Sequence, residues 1–323
     1  MPDTVTVEEF HARMRDLWSK RGFEIPGGER IGVLVEELVE LSADRNAEIE
    51  SPHLDLWVAI LDEHISWFIS LYTVVWGERD LDTPATNLER AVIVILARAV
   101  ADKTAIRHLV LAGFDTSARS ILRSLVEYLE VFVAIVHKPE FADQFVASDT
   151  PDNANHFWAT HIRRGALQKR VKAAWEDFIE GADDEGMAKH LSEWGRGSNR
   201  ILSGLAHPSI MGGLFSAIPF RSSYSDQDWH GIFGLKAEAS VNTIYYLLLY
   251  MFPIFVLNRE FPFGDRLPLG IRTYDDGNDF HRHVKIGSSI LASVILGLAS
   301  DTKAAHIFPD IDMSIWPDDK SEN

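Results

Sequence analysis

Apolar residues recur at helical spacing along most of this chain. No sustained alternation of apolar and polar residues predicts a multi-stranded sheet. The clearest helices are predicted over about 6–21, 29–45, 54–76, 86–113, 115–137, 229–258 and 279–300. We therefore expect an all-α fold, a bundle of long helices joined by irregular loops. Residues 1–50 form a predicted N-terminal helical hairpin and residues 51–323 the main bundle, unless the two are continuous.

Several helix ends carry recognisable signals. Two starts have the pattern of a capping box, in which a Thr and a Glu three residues later satisfy each other's backbone N–H groups: Thr6 with Glu9, and Thr86 with Glu89. Gly113 suits the position just after a helix, where the backbone commonly adopts the left-handed conformation. Asp115 or Thr116 is expected to cap the next helix, and Pro139 to limit its end near His137.

Composition narrows the class of protein. The 323 residues include 48 Asp and Glu against 31 Lys and Arg, a formal net charge of −17. Such a charge repels nucleic acid and anionic membranes at long range, although a local basic patch can override it. The absence of cysteine excludes disulfides and thiolate sites. Residues 1–10 are acidic and lack the apolar run of a signal peptide, so we expect a cytoplasmic protein that binds no membrane.

One apolar stretch, residues 240–257, is nearly long enough to span a membrane. Asn242, Thr243 and Pro253 interrupt it, which favours a buried core helix. The nine Trp and 18 Phe of the chain are many to bury in one molecule, so we also expect that it can form a homodimer.

Three charged residues occupy one face of the predicted helix 115–137. Arg119, Arg123 and Glu127 are spaced four apart, among apolar neighbours. One interpretation is a buried ion pair that fixes helix register. The other is a ligand-binding site, because a guanidinium presents a rigid fork of donors that matches phosphate.

A second face carries Arg196, Arg200, Ser203 and His207. Pro208 places His207 at a helix end, where a protonated imidazole can simply cap the helix. The alternative is a catalytic pair, with His207 transferring a proton and Arg200 holding a phosphate. We expect both charged faces to meet at one site between two helices.

The remaining signals are weaker. A basic run over 161–172, followed by acids, is typical of a solvated helix of mixed charge, with a patch for RNA or a phosphorylated small molecule as the alternative. Three acids on one helix could suggest a metal site, but acidic helix faces are common. Three scattered histidines could suggest another, but histidines two apart on a helix point to different faces. These residues are Glu36, Glu37 and Glu40, and His281, His283 and His306. We predict no metal and no cofactor.

The phrase LARAVADKTAIRHLVLAGFDTSARSILRSLVEYLEVFVAI, with LSGLAHPS later, resembles the family called domain of unknown function 5677 over residues of about 85–260. The matching positions are Gly113, Ala118, Arg119, Arg123, Ser124, Leu125 and Glu127, with 202–209 for the later phrase. The resemblance implies a long-helix protein and carries no established chemistry.

A looser similarity links the chain to the HEPN superfamily, whose ribonucleases use an Arg followed by a His after four to six residues. It implies metal-independent RNA cleavage at a dimer, with Arg200 stabilising the phosphorane and His207 acting as acid or base. Ile201 and Pro208 depart from that pattern.

A third similarity, over the first 45 residues, is to the MazG-like nucleotide pyrophosphohydrolases. It places Glu37 and Glu40 at a magnesium site, although Asp62 and Glu63 have the wrong spacing for the second acidic motif of that family.

Three hypotheses about function follow. The first is a helical binding protein, such as a component of a bacterial defence or toxin–antitoxin system, that binds an anionic ligand or partner through its Arg/Glu/His cluster. The second is a HEPN-like ribonuclease, and the third a magnesium-dependent nucleotide hydrolase. Whether the chain is an enzyme stays open at this point.

Overall fold

The computed structural model describes residues 6–22, 39–40, 43–44, 46–77, 82–179, 202, 240–260, 275 and 277–301. Nine α-helices have defined bounds in these ranges, further helical residues occur at 39–40, 43–44, 46–48 and 202, and none of the described residues is in a strand. The nine helices are α1 (Val7–Lys20), α2 (Pro52–Gly77), α3 (Asn87–Leu111), α4 (Asp115–His137), α5 (Phe141–Val146), α6 (Pro151–Phe157), α7 (Ala166–Ile179), α8 (Val241–Glu260) and α9 (Asp279–Asp301). The all-α prediction is confirmed.

The local signals fix most helix ends as predicted. Both capping boxes are present, at Thr6 and at Thr86. After α3, Gly113 has a φ of 79° and its N–H bonds to the carbonyl of Val110, while the N–H of Phe114 bonds to that of Leu109. These two bonds are the Schellman motif, in which glycine avoids the steric cost of a left-handed residue.

The predicted cap of α4 is wrong. The N-cap is Phe114, which makes no side-chain cap bond, and Asp115 is already the first helical residue. The reason is that the Schellman turn leaves a single residue, Phe114, between Gly113 and the start of α4. The carboxylate of Asp115 is then directed to partners on its own helix and on α8.

The long helices pack in a closed order around one core. α2 contacts α3, α3 contacts α4, α4 contacts α8, α8 contacts α9, and α9 returns to α2. α8 also packs directly on α2. This position explains its sequence, because a helix with neighbours on several sides needs apolar residues all round. Its buried residues include Ile244, Leu247, Leu248 and Met251, which confirms the prediction of a buried core helix there.

α2 carries the largest buried side chains of the core, among them Trp57, Trp67 and Phe68. Its residues Leu54–Gly77 are long and apolar enough to cross a membrane, judged by length and composition, and 61% of the relevant window is buried inside the protein. A core helix has these same properties. Asn46, in the preceding segment, donates to the carbonyl of Ala112 at 3.2 Å, so the 1–50 region contacts the end of α3.

Candidate functional site

The first predicted site residue, Arg119, joins α4 to α8. Its Nε lies 2.8 Å from Oδ2 of Asp115 and donates to Oγ1 of Thr243 at 2.9 Å. Thr243 in turn donates to Oδ1 of Asp115 at 2.5 Å. Thr243 is completely buried, whereas the Arg119 side chain is 13% exposed. The three side chains form a closed polar network between two helices.

Arg123 and Glu127 form the predicted i, i+4 ion pair, with 2.7 Å between Nη2 and Oε1. Their side chains are 21% and 27% exposed, so the pair that was interpreted from the sequence as buried is only partly buried. The pair lies one and two turns beyond the α8 contact of Arg119, and it keeps access to water. Each arginine is therefore matched by an acid one turn away on its own helix. This local charge balance favours the interpretation of a structural clamp over that of an open anion site.

Arg200 and His207, the predicted catalytic pair, lie outside the described residues, as do Arg196 and Ser203. Their convergence with Arg119 and Arg123 stays a prediction.

The residues of the weaker predicted sites lie partly outside and partly inside the described ranges. Glu36, Glu37 and His306 lie outside the described residues. Asp62, the nearby acid of the MazG-like comparison, accepts two hydrogen bonds from Arg107, at 2.6 and 3.0 Å. His281 is buried and its Nδ1 accepts from the backbone N–H of Asp275. Among the described residues, no three His, Asp or Glu side chains gather in a group that could hold a metal ion.

A basic surface with one exposed aromatic ring, that of Trp158, follows α6. Residues 158–162 form a π-helical turn and residues 163–165 a 3₁₀ turn before α7 begins. Trp158 is 46% exposed and the guanidinium of Arg163 lies 5.6 Å from its ring centre. The side chains of Arg163 and Lys169 are also exposed. We call Trp158, His161, Arg163, Lys169 and Arg170 the basic–aromatic surface. π-Helical turns are rare and are frequently found at functional sites.

Ring packing anchors the inner edge of this surface. The His161 ring contacts Phe141 and Phe157, with centroids 5.6 and 5.0 Å away. Arg170 lies over Phe141, 4.5 Å from the ring centre, and its Nη2 is 3.5 Å from Nδ1 of His161. Burial, and secondarily the charge of Arg170, lower the pKa of His161. The lowered pKa favours the neutral imidazole, whose Nδ1 can accept from Arg170.

The acids of α7 are directed away from the basic–aromatic surface. Asp177 pairs with His137 on α4, at 2.5 Å, and Glu176 pairs with Lys172 at 3.1 Å. Gln168 donates to Glu130, which attaches α7 to α4. The sequence predicts this basic run as a solvated helix of mixed charge. In the structure two of its cations, Arg163 and Arg170, lie against aromatic rings, while the acids of α7 pair elsewhere.

Sequence reasoning missed a buried amine. The Lys103 side chain on α3 is completely buried, and its Nζ makes no hydrogen bond to any described residue. Desolvation holds its pKa well below the ordinary value. His64 on α2 is buried nearby, and desolvation lowers its pKa to about 3 even though its Nδ1 hydrogen-bonds to the carbonyl of Ile60 at 2.7 Å. A lysine at one position of an apolar helix gives no local sign that it points inward.

Comparison of the chain with models of protein families, with curated proteins and with solved structures gives no significant match. The fold and the chemistry of the described side chains therefore carry the functional argument alone.

Proposed function

We propose that this protein binds single-stranded RNA through the basic–aromatic surface. The observation that carries the proposal is the exposed Trp158 ring with the Arg163 guanidinium 5.6 Å away, at a π-helical turn. Proteins that bind single strands combine cations that contact the phosphates with aromatic rings on which bases stack. A tryptophan nearly half exposed, beside cations that form no ion pair with any described acid, has both properties.

Charge distribution supports the same conclusion. Residues 156–172 contain five Lys or Arg and no acid, in a chain whose net charge is −17. An acidic protein gains nothing in solubility from one concentrated basic segment, whereas a polyanion needs it for affinity. The balanced pairs Arg119–Asp115 and Arg123–Glu127 offer no comparable excess of positive charge.

The surface favours an RNA strand over an acidic protein partner because of its rings. Carboxylates need cations alone, while unstacked bases also need an accessible aromatic face. Double-stranded RNA hides its bases, so a stacking surface gives it no advantage. We therefore expect the affinity to be highest for single-stranded RNA, lower for duplex RNA and lowest for an acidic polypeptide.

The test is fluorescence anisotropy with a labelled 12-nucleotide uridine oligomer. Trp158→Ala should weaken binding about 5- to 100-fold, since base–aromatic stacking contributes about 1–3 kcal/mol per base. Arg163→Glu should weaken binding and reduce the magnitude of the salt slope by at least about 0.7, the value per neutralised phosphate on a single strand. Trp76→Ala and Arg90→Glu are the matched controls, because Trp76 is 45% exposed and Arg90 is exposed on another helix.

Two outcomes would reject the proposal. One is equal loss of affinity in the control variants. The other is binding of poly-glutamate as tight as that of the RNA, which would identify a general anion surface. RNA cleavage is a separate question, tested with the same oligomer in EDTA: loss of cleavage in His207→Ala would support the ribonuclease hypothesis, and intact RNA at high protein concentration would count against it.

A further inference from the structure

A groove lies between α2 and α9, away from the basic–aromatic surface. It encloses about 420 Å³, which is within the size range of small-molecule sites. Along α9 the lining residues recur three or four apart, from Asp279 to Leu291. These thirteen residues of α-helix make a groove about 18 Å long. Its dimensions suit an elongated ligand that lies along α9.

The two ends of the groove differ in chemistry. One end has Glu63 from α2 and Asp279, Arg282 and His283 from α9. The other end is aliphatic, formed by Ile286, Ile290 and Leu291. Ile286 and Ile290 are 52% and 55% exposed, and such apolar exposure in a concave site is typical of binding surfaces.

Gly287 lines the aliphatic part of the groove, where α9 approaches α2 closely. A Cβ atom at this position would lie 2.9 Å from Cδ1 of Trp67 and 3.2 Å from Cδ2 of His283. Trp67 also donates from Nε1 to the carbonyl of Val284, at 3.0 Å. Glycine thus lets α9 approach the ring of Trp67, and the groove is fixed by the helix packing itself.

The polar end is also held in place. Nδ1 of His283 is 2.8 Å from Oγ of the buried Ser70 on α2, and this hydrogen bond fixes the orientation of the imidazole ring. Arg282 pairs with Asp279 at 3.3 Å. Glu63 has no ion pair with any described residue. The fixed charges at this end therefore sum to one negative charge, that of the Glu63 carboxylate.

We propose that this groove binds an amphipathic amine, with an aliphatic chain along Ile286 and Ile290 and its ammonium group at Glu63. Charge complementarity selects the head group, since a carboxylate head would meet an unpaired acid. His283 supplies a hydrogen-bonding group for the same head. The site is independent of the proposed RNA surface, which uses other helices.

The probe is decylamine, compared with decanoate and decanol, each titrated calorimetrically below the concentration at which it forms micelles. Decylamine should bind at least 10-fold more tightly than either of the others. Glu63→Lys should reverse the preference, so that decanoate becomes the tighter ligand. Asp55→Lys on the same helix is the control, because Asp55 is an exposed acid that does not line the groove.

The apolar end is tested with Ile286→Asp and Ile290→Asp. Both positions are exposed, so the fold should tolerate the change, and each should weaken decylamine binding at least 10-fold. Val94→Asp is the control, since Val94 is 53% exposed on α3. No binding of decylamine, equal binding of all three probes, or binding that survives the isoleucine changes would each overturn the proposal.

Discussion

The Nζ atom of Lys103 lies 3.1 Å from the centre of the Phe68 ring, inside the contact between α3 and α2. Its Nζ has no hydrogen-bond partner among the described residues, and the acid next to it in sequence, Asp102, binds Arg98 at 2.8 Å. The ring face offers partial compensation to an ammonium. Burial nevertheless favours the neutral amine and lowers the pKa of Lys103.

Replacing this amine should stabilise the protein. Lys103→Met keeps an unbranched chain of similar length and adds a favourable sulfur–ring contact with Phe68, while it removes a buried polar group that has no hydrogen bond. We expect the free energy of unfolding at pH 7 to rise by about 1 to 3 kcal/mol. Urea denaturation of both proteins measures the change. A loss of stability would mean that the amine has a partner that contributes more than its burial costs.

The same residue predicts how stability depends on pH. The pKa of Lys103 is lowered in the folded state from its ordinary value of 10.5. Between the folded and unfolded pKa values, the unfolded chain binds one more proton, so stability rises with pH by up to about 1.4 kcal/mol per unit until pH 10.5. The advantage of Lys103→Met should therefore shrink as pH rises from 7 to 9.5. Denaturation of both proteins across that range tests this, and a constant difference would contradict it.

The Asp115–Arg119–Thr243 network should contribute to the packing of α4 against α8. Thr243→Val keeps the shape of the buried side chain but removes the hydroxyl that bridges Arg119 and Asp115. We expect a loss of about 1 to 3 kcal/mol, the typical cost of a buried group left without its hydrogen bond. Thr104→Val is the control, because the Thr104 hydroxyl only bonds back to the Val100 carbonyl on its own helix. An equal loss in the free energy of unfolding at the two positions would show that the interhelical hydrogen bonds add nothing to stability.

Arg123→Ala tests the partial exposure of the Arg123–Glu127 pair. Exposed pairs contribute about 0.2–1 kcal/mol, and breaking a buried pair costs about 3–5 kcal/mol. With both side chains about one quarter exposed, we expect a loss of about 1–2 kcal/mol in the free energy of unfolding. Calorimetric melting curves would reveal it. A loss of 4 kcal/mol or more would require that Glu127 has no access to water.

Gly287→Ala should weaken the contact between α2 and α9. The new methyl group would overlap Trp67, and overpacking in a core costs about 1–3 kcal/mol, against a gain of about 1 kcal/mol in helix propensity. We expect a net loss together with a change in the fluorescence of Trp67. Gly77→Ala is the control, since a Cβ there would meet only a methyl group of Thr73 at 3.9 Å. If both variants are equally stable, the close approach of α9 is not required.

The predictions that succeeded from the sequence depend on short-range physics. Residues three or four apart form the capping boxes, the turn at the glycine after α3 and the Arg123–Glu127 pair. The local amino-acid sequence therefore determines the geometry of these features. The all-α fold follows from the same periodicity. The predicted cap of α4 was wrong because the tight turn leaves only Phe114 between Gly113 and α4, which an interpretation of each helix by itself does not anticipate.

The parts of the candidate sites that escaped prediction depend on contacts across the fold. Thr243 lies 124 residues from Arg119, and no periodicity links them. The burial of Lys103 and the exposure of Trp158 reverse the usual preferences of those residue types. Residue type alone would predict an exposed lysine and a buried tryptophan. The groove needed Gly287 and Trp67 in one place, and they are 220 positions apart.

The π-helical turn at 158–162 also bears on the history of the chain. Such a turn accommodates one residue more than an α-helix of the same length. Deleting Ala159 would leave Trp158 and Arg163 four positions apart, and because each α-helical residue turns the chain by about 100°, this spacing keeps two side chains on one face of an α-helix. Loss of this single codon should therefore leave ring and cation on the same side, so that their contact does not depend on the π-helical winding.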